Sequence, residues 1–316
     1  MQATCLWNHK GDACLGVYAT TLIASNDVTY DNSSSGLTST NVKGALDELY
    51  EISSHCPAGY ECTKLPLCRR ATTLHTETCS QTSTTEYCGA DGYASGSTIT
   101  YGNLGSEGVL TTGDAFDCDV NGDGEYNSET ERFYYVTDMN SDTAVLIYYN
   151  NVSGGLPNNM TAYAYNTDNS TYLGPQTAIL QLPTTSQWKN VSLTNTIRDI
   201  KDEKGTTRIS GFSYEGYAAR LLTYEEVQNG CYDGTTAITS TAGLSTKCKF
   251  LMENTTYSSN SLKTLGPWLE TPYSSLAGYA WIVYGYNRNA LGDNVGNFSS
   301  RGVRPAIEVL KSDISL

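Results

Sequence analysis

Ten cysteines, at positions 5, 14, 56, 62, 68, 79, 88, 118, 231 and 248, constrain this chain more than any other feature. The number is even and no C-x-x-C pair occurs among them, whereas zinc ribbons and thioredoxin-like redox sites normally need that pair. Disulfides are therefore expected, and with them an oxidising, extracellular setting. Connectivity does not follow from a count, since eight cysteines already allow about 105 pairings. Local spacing singles out Cys5–Cys14, Cys68–Cys79 and Cys231–Cys248.

Charge narrows the choice of partners. The 33 acidic against 19 basic side chains leave a formal charge of −14, which repels phosphate backbones and anionic headgroups. Nucleic acid and membrane surfaces are therefore not expected partners. Only 16% of residues are charged, so Ser, Thr, Asn, Gly and 24 Tyr must supply the polar surface, as suits an extracellular protein. No run approaches the ~18 apolar residues of a membrane span. The first 25 residues lack the basic start and apolar stretch of an export signal.

Three regions are expected along the chain. In residues 1–55, Val42, Ala45, Leu46, Leu49 and Ile52 fall at helical spacing between Thr40 and Ile52, behind a Ser/Thr-rich lead-in able to cap a helix. Residues 56–96 hold five cysteines and few apolar positions, which reads as a small disulfide-stapled module. Residues 97–316 form the main domain. Thr98–Tyr101, Arg132–Thr137 and Ala144–Tyr149 have strand chemistry, Thr177–Leu182 and Tyr217–Val227 have helical spacing, and strands return at Trp268–Thr271, Tyr279–Tyr286 and Val303–Leu310. Pro305 makes the last a first-position or edge strand. Strands, helices and strands again predict an α+β domain whose first and last strand groups pair.

Two motifs could carry chemistry. The stretch from Asp119 to Glu131 resembles dockerin and EF-hand-like calcium loops: Asp119, Asn121 and Asp123 at positions 1, 3 and 5, glycine at 6, Glu125 at 7 and Asn127 at 9. Position 12 is Thr130, so Glu131 is the expected displaced last ligand. The expected ion is a structural calcium that ties the loop to the strand beginning near Arg132.

The second motif is one of composition. From Tyr273 to Ser300 there are four each of Tyr, Asn, Ser and Gly, plus Trp281 and Arg288. Rigid aromatic rings among adaptable small polar residues are the chemistry of antibody combining sites. Trp281 and Val283 are expected in the core. Tyr273, Ser274, Tyr279, Tyr284, Tyr286, Asn287, Arg288, Asn289, Asp293, Asn294, Asn297 and Ser299 are the candidate ligand-binding residues.

No catalytic residue is expected, because the only histidines, His9, His55 and His75, lie in no Ser, Cys or metal-ligand signature. Glu225 and Glu226 are expected on a solvated helix face. An enzyme would require a buried cluster of titratable groups in a cleft.

Gly302-Val-Arg304-Pro305-Ala-Ile307, Trp268-Leu-Glu-Thr-Pro272-Tyr273-Ser and Tyr279-Ala-Trp281-Ile-Val carry a resemblance. The stretch from about Ser97 to Leu316 resembles bacterial C-type-lectin-like domains related to the formylglycine-generating-enzyme fold, including the variable proteins of diversity-generating retroelements. The segments 31–50 and 68–79 resemble parts of surface or pilin-like proteins of gut Firmicutes, the former also of phage tail fibres. The resemblance implies a C-type-lectin-like domain of short antiparallel sheets and two helices, with variable side chains displayed ahead of the Arg-Pro strand. It implies an adhesin-like protein of the bacterial surface or pilus that binds a protein or glycan and assembles with other surface or fibre subunits. The alternative is a phage or prophage tail-fibre protein that trimerises through the 42–52 helix. The Glu-Pro-Asn and Trp-Asn-Asp signatures of calcium-dependent sugar lectins are missing, as is the cysteine pair of a formylglycine-generating site near the C-terminus.

Overall fold

The computed structural model describes residues 4–7, 14–18, 40–44, 65–78, 86–87, 96–158, 162–168, 170–231, 246–254, 257–258, 266–284, 289–294 and 301–316. At 4–7, 14–18, 86–87, 171, 257–258, 284 and 289–294 the description is of the backbone alone. The chain divides into two units, Met1–Leu65 and Pro66–Leu316.

In the first unit, β1 (Thr4–Trp7) and β2 (Cys14–Tyr18) form an antiparallel hairpin. The side chains of Cys5 and Cys14, and so their expected bond, lie outside the description. Residues 42–44 begin a helix, α1. Its cap is Asn41, whose Oδ1 accepts the Gly44 N–H at 2.7 Å. Positions 45–52 of the expected helix lie outside the described residues.

The second unit is a mixed α+β structure, mostly strands. In chain order these are β3 (Cys68–Arg70), β4 (Thr76–Thr78), β5 (Glu86–Tyr87), β6 (Thr98–Thr100), β7 (Ala115–Cys118), β8 (Arg132–Asp138), β9 (Thr143–Tyr148), β10 (Val152–Ser153), β11 (Leu156–Pro157), β12 (Ile197–Lys201) and β13 (Thr207–Ser213). After the helix α2 (Tyr224–Cys231) come β14 (Tyr257–Ser258), β15 (Trp268–Pro272), β16 (Tyr279–Tyr284), β17 (Asn289–Asn294), β18 (Ala306–Leu310) and β19 (Ile314–Ser315). The main sheet runs β18-β9-β8-β7-β3-β19, antiparallel except where β19 lies parallel to β3. The first and last strand groups of this unit therefore pair, β18 on β9 and β19 on β3. Pro305 immediately precedes β18, which is the outer strand at its end of the sheet.

Both faces of the central strands are covered. Phe133, Tyr135, Ala144, Leu146 and Tyr148 enter one core cluster, with Trp188 packed edge-on to Phe133 and Tyr148. Tyr134, Val136, Val145 and Ile147 enter the other, with α2, Phe250 and Leu251. Alternating side chains serve opposite cores, so β8 and β9 read as near-continuous apolar runs.

Three expectations need correction. The helix expected over Tyr217–Val227 begins only at Tyr224. Residues 218–222 are non-helical, and Arg220 and Ala306 exchange backbone hydrogen bonds of 3.0 and 2.8 Å. Ala218, Leu221 and Leu222 are all buried, and an extended run buried on both sides imitates helical spacing. A capping box starts α2: Thr223 Oγ1 accepts the Glu226 N–H at 3.1 Å and Glu226 Oε2 accepts the Thr223 N–H at 2.9 Å. A Cβ on Gly230 would lie 2.4 Å from the Val136 carbonyl oxygen, so glycine allows α2 to settle onto β8. The other expected helix, Thr177–Leu182, is a single 3₁₀ turn over Ala178–Gln181.

The second correction concerns the cysteines. Cys68 is bonded to Cys118, not to Cys79. The two lie directly opposite in the β3–β7 ladder with a Cα–Cα distance of 4.0 Å, a neighbourhood set by the sheet and invisible to sequence spacing. Cys231 is bonded to Cys248, with a Cα–Cα distance of 5.7 Å. The third follows from it: β3 is an interior strand of the main sheet, so the unit boundary falls at 65/66 and the described part of 66–96 is no separate module. No described helix is long and apolar enough to cross a membrane.

Candidate functional site

The expected recognition region is carried by a separate sheet of order β15-β16-β17. All five residues of β15 are buried, as are Ala280, Trp281, Ile282 and Val283 of β16. Trp268 donates its indole N–H to the Tyr163 carbonyl at 2.8 Å, and Trp281 packs against the rings of Tyr224 and Tyr273 at 4.4 and 5.1 Å. Among the described residues β17 pairs, against this platform, with β16 alone and forms the outer strand. Register sets Asn294 opposite Tyr279, Asp293 opposite Ala280 and Asn289 opposite Tyr284. Four of the expected ligand-binding residues, Tyr284, Asn289, Asp293 and Asn294, are thus described by backbone only. Tyr286, Asn287, Arg288, Asn297 and Ser299 lie outside the described residues.

Tyr273 and Ser274 also carry contacts within the fold. Both are half-buried. The Ser274 N–H donates to Glu203 Oε2 at 2.8 Å and its hydroxyl to Glu203 Oε1, while Trp281 Nε1 donates to Glu203 Oε2 at 3.2 Å. The Tyr273 N–H reaches the Tyr279 carbonyl at 2.9 Å. These bonds fasten the β15–β16 turn to the turn between β12 and β13. Ser275, Leu276 and Ala277 are what that turn exposes.

The Gly-Val-Arg-Pro motif is also a fastening. Arg304 is 1% exposed and donates from Nη1 to the carbonyls of Phe250 (3.1 Å) and Leu251 (3.2 Å), and from Nη2 to that of Glu253. These are the carbonyls at the end of the 3₁₀ segment Thr246–Met252 and its exit, of which that of Phe250 also accepts the Glu253 N–H at 3.3 Å. Burial lowers the Arg304 pKa to about 10, which still leaves the guanidinium charged at neutral pH. A Cβ on Gly302 would lie 2.4 Å from the Asn151 side-chain oxygen, so the residue before the strand must stay small.

In the calcium-type loop, Asp119, Asp123 and Glu131 each bring a carboxylate oxygen to within 4.8 Å of the other two. Asp119 accepts N–H groups from Gly122 (2.8 Å), Asp123 (3.1 Å) and Gly124 (3.1 Å), which curls the loop around it. Asn121 and Asn127 instead shape the backbone, their side-chain oxygens accepting the N–H of Asp123 (2.8 Å) and Glu129 (2.9 Å). Glu125 is exposed and stands outside the carboxylate group. Burial, with the nearby Asp123 and Asp119, raises Glu131 to about 7.

Sequence reasoning missed a buried charge network. Arg220 donates from Nε to Glu308 (2.7 Å) and from Nη1 and Nη2 to Glu226 (2.9 and 2.5 Å). Arg198 lies 3.2 Å from Glu270 and 3.4 Å from Glu308. Glu226 is thereby a buried partner rather than a solvated one. Burial opposes its charge and that of Glu308, but the Arg220 guanidinium outweighs this and holds both below the usual carboxylate range. Burial dominates at Glu270, whose pKa is raised. Arg198 and Glu226 reach a cleft of about 270 Å³, also lined by Asp138, Lys201, Asp202 and Asn229. A titratable cluster at a cleft is what an enzyme would need. Glu226, Glu270, Glu308 and Asp202, however, are each engaged by a guanidinium, the arrangement of a structural network, while Asp138 pairs with Lys311 and Asp199 accepts from Ser210 and Gly211.

His75 shows how a lone histidine is used. Its Nδ1 lies 2.7 Å from Glu253 Oε1 and its Nε2 2.7 Å from the Ser128 carbonyl, so both nitrogens have acceptors and the imidazolium fits best. Burial opposes that charge, but the Glu253 carboxylate prevails over burial and over Arg132, and the pKa is raised above 6.5. A raised folded pKa gives stability that is complete below 6.5 and is lost as pH rises through the folded value. NMR titration of the ring is expected to place it above 6.5, and His75→Gln to flatten the stability profile there. A ring titrating below 6.5 would refute this.

No protein-family model matches the chain, and neither does any curated protein or solved structure.

Proposed function

We propose that this chain is an extracellular binding protein of C-type-lectin-like build, adhesin-like and displayed on a bacterial surface or pilus. Its recognition surface is centred on β17 and the flanking residues 284–299. The observation that carries this reading is the contrast within one small sheet. Every residue of β15 and four consecutive residues of β16 are buried, yet the outer strand registered against them reads Asn-Ala-Leu-Gly-Asp-Asn. A rigid platform that fixes an outer strand bearing Asn289, Asp293 and Asn294 can change those residues without losing its fold. That is the requirement for a surface that adapts to a protein or glycan ligand. Among the described residues β17 pairs only with β16, which leaves its other edge for a partner. Meeting of the terminal strands, through β18 and β19, fits the same frame, and the disulfides suit an oxidising compartment.

The test compares wild type with an Asn289→Ala/Asp293→Ala/Asn294→Ala variant for binding to a glycan array and to intact bacterial cells. Wild type should bind a restricted set, and the variant should lose at least about tenfold, roughly 1.4 kcal/mol or more, with an unchanged melting curve. Equal binding by the two proteins would overturn the assignment of the surface. Diversification is tested separately by sequencing the gene and its neighbourhood across isolates. Adenine-rich codons at 284–299 beside a near-identical template repeat are expected if these positions vary by retroelement.

A further inference from the structure

We propose that the 119–131 loop is a calcium site closed by Glu131, one residue beyond the usual last position. The carboxylate cluster alone would not carry this, since acidic turns are common without an ion. Glu131 is the independent observation. It is only 2% exposed, its Oε2 accepts the Asn127 N–H at 3.0 Å, and its Oε1 makes no hydrogen bond of normal geometry, although the Asn121 N–H acts on the carboxylate. A buried carboxylate oxygen without a full hydrogen bond calls for a compensating positive charge. Among the described residues no lysine or arginine pairs with Asp119, Asp123 or Glu131, although Arg132 is next in the chain. Arg132 is turned to Asp117, with its Nε 2.7 Å from Asp117 Oδ1.

The spacing fits one hard cation. Calcium–oxygen distances are about 2.3–2.6 Å, so two ligands on opposite sides of the ion stand roughly 4.8 Å apart. The oxygens of Asp119, Asp123 and Glu131 all fall within 4.8 Å of one another. The all-oxygen set disfavours zinc, which prefers nitrogen and sulfur. The loop turns at Gly122 and Gly124, with φ of 77° and 84°, and such a backbone can accept the irregular shell of calcium more readily than the octahedron of magnesium. Why Glu131 rather than position 12 closes the site is set by the chain's exit. Thr130 is exposed, whereas Glu131 is the first residue turned inward as the chain enters β8.

The ion would join distant parts of the fold. Asn190 donates from Nδ2 to the Asp119 carbonyl and to Asp119 Oδ2, at 3.0 and 3.1 Å. Ordering Asp119 thus orders the contact between the β7–β8 loop and the segment that carries Trp188. Asp119 also follows Cys118, so the site, which ties the end of β7 to the start of β8, adjoins the bridge that ties β7 to β3.

Calorimetric titration of the chelator-treated full chain with calcium chloride tests the proposal. One site of about 10⁻⁵ to 10⁻³ M is expected, with magnesium at least tenfold weaker. Melting should rise by roughly 5–10 °C at a hundredfold excess over Kd. Glu131→Gln, which keeps the shape, and Asp123→Asn, an exposed position that does not endanger folding, should each weaken calcium at least tenfold. Absence of heat and of any melting shift at about 10 mM calcium, a concentration well above the affinities of extracellular calcium modules, overturns the site. So does undiminished binding by Asp123→Asn, or magnesium binding as tight as calcium. The outcome is independent of whether the β17 surface binds a ligand.

Discussion

Arg220→Leu is expected to lower stability by about 3–5 kcal/mol, the cost of breaking a buried ion pair from one side, and the melting temperature by about 10 °C. Arg220 is fully buried and serves two carboxylates that arrive from opposite directions in the chain, Glu226 on α2 and Glu308 on β18. Its removal leaves Glu308 with Arg198 at 3.4 Å and the Thr194 N–H at 2.7 Å, and leaves Glu226 with its capping contact to Thr223. Two guanidinium groups face three carboxylates in this network, so the loss leaves one against three, an imbalance that proton uptake by Glu270, whose pKa burial already raises, relieves only in part. Arg220→Lys keeps the charge but loses the planar fork that grips Glu226 with two nitrogens, and should recover only part of the loss.

A pH signature separates this from simple loss of packing. The folded pKa values of Glu226 and Glu308 are depressed, so their contribution is present above the ordinary value of 4.5 and disappears as pH falls through the lowered values. Urea unfolding of wild type and Arg220→Leu should therefore converge on acidification below about 4.5. A difference under about 1 kcal/mol at pH 7, or one independent of pH, would show that the network holds little of the fold.

What the sequence disclosed depended on how local the determinant was. β8, β9, β15 and β16 were readable because β-branched and aromatic residues concentrate where both faces are buried. The capping box Thr223-Tyr-Glu-Glu226 was equally local and marks the true start of α2, but the apolar residues from Ala218 to Leu222 outweighed it by imitating a helical stripe. Loop spacing also pointed to Asp119, Asp123 and Glu131, whose carboxylates the fold brings within 4.8 Å of one another. By contrast, Arg198, Glu270 and Glu308 come from three elements, and Arg198 and Glu308 are 110 residues apart in the chain. No spacing rule assembles them. The same limit applies to Arg304, whose motif looked like a family mark but works by satisfying carbonyls some fifty residues earlier. In the 273–300 region the β16 strand was readable from its apolar run, whereas β17 and its register were not, and composition cannot tell a displayed serine from one that, like Ser274, is bonded to Glu203.

The sheet position of Cys68 leads to the other large effect. Bonding Cys68 to Cys118 closes a loop of 50 residues, against 17 for Cys231 to Cys248. On the chain-entropy model the first restricts the unfolded chain by about 4 kcal/mol and the second by about 3. The first bridge also joins β3 to β7, and β3 in turn carries β19, so the terminal strand depends on it for its place in the sheet. Cys68→Ala/Cys118→Ala is therefore expected to destabilise by about 4 kcal/mol, more than Cys231→Ala/Cys248→Ala, and to release β19 first. Urea unfolding gives the energies, and hydrogen exchange at Ile314 and Ser315 reports the strand. Non-reducing peptide mapping supplies the decisive control: Cys68 must be recovered linked to Cys118. Recovery with Cys79 instead, or a Cys68/Cys118 variant as stable as wild type, would mean that the edge of the sheet is held by packing and backbone pairing alone.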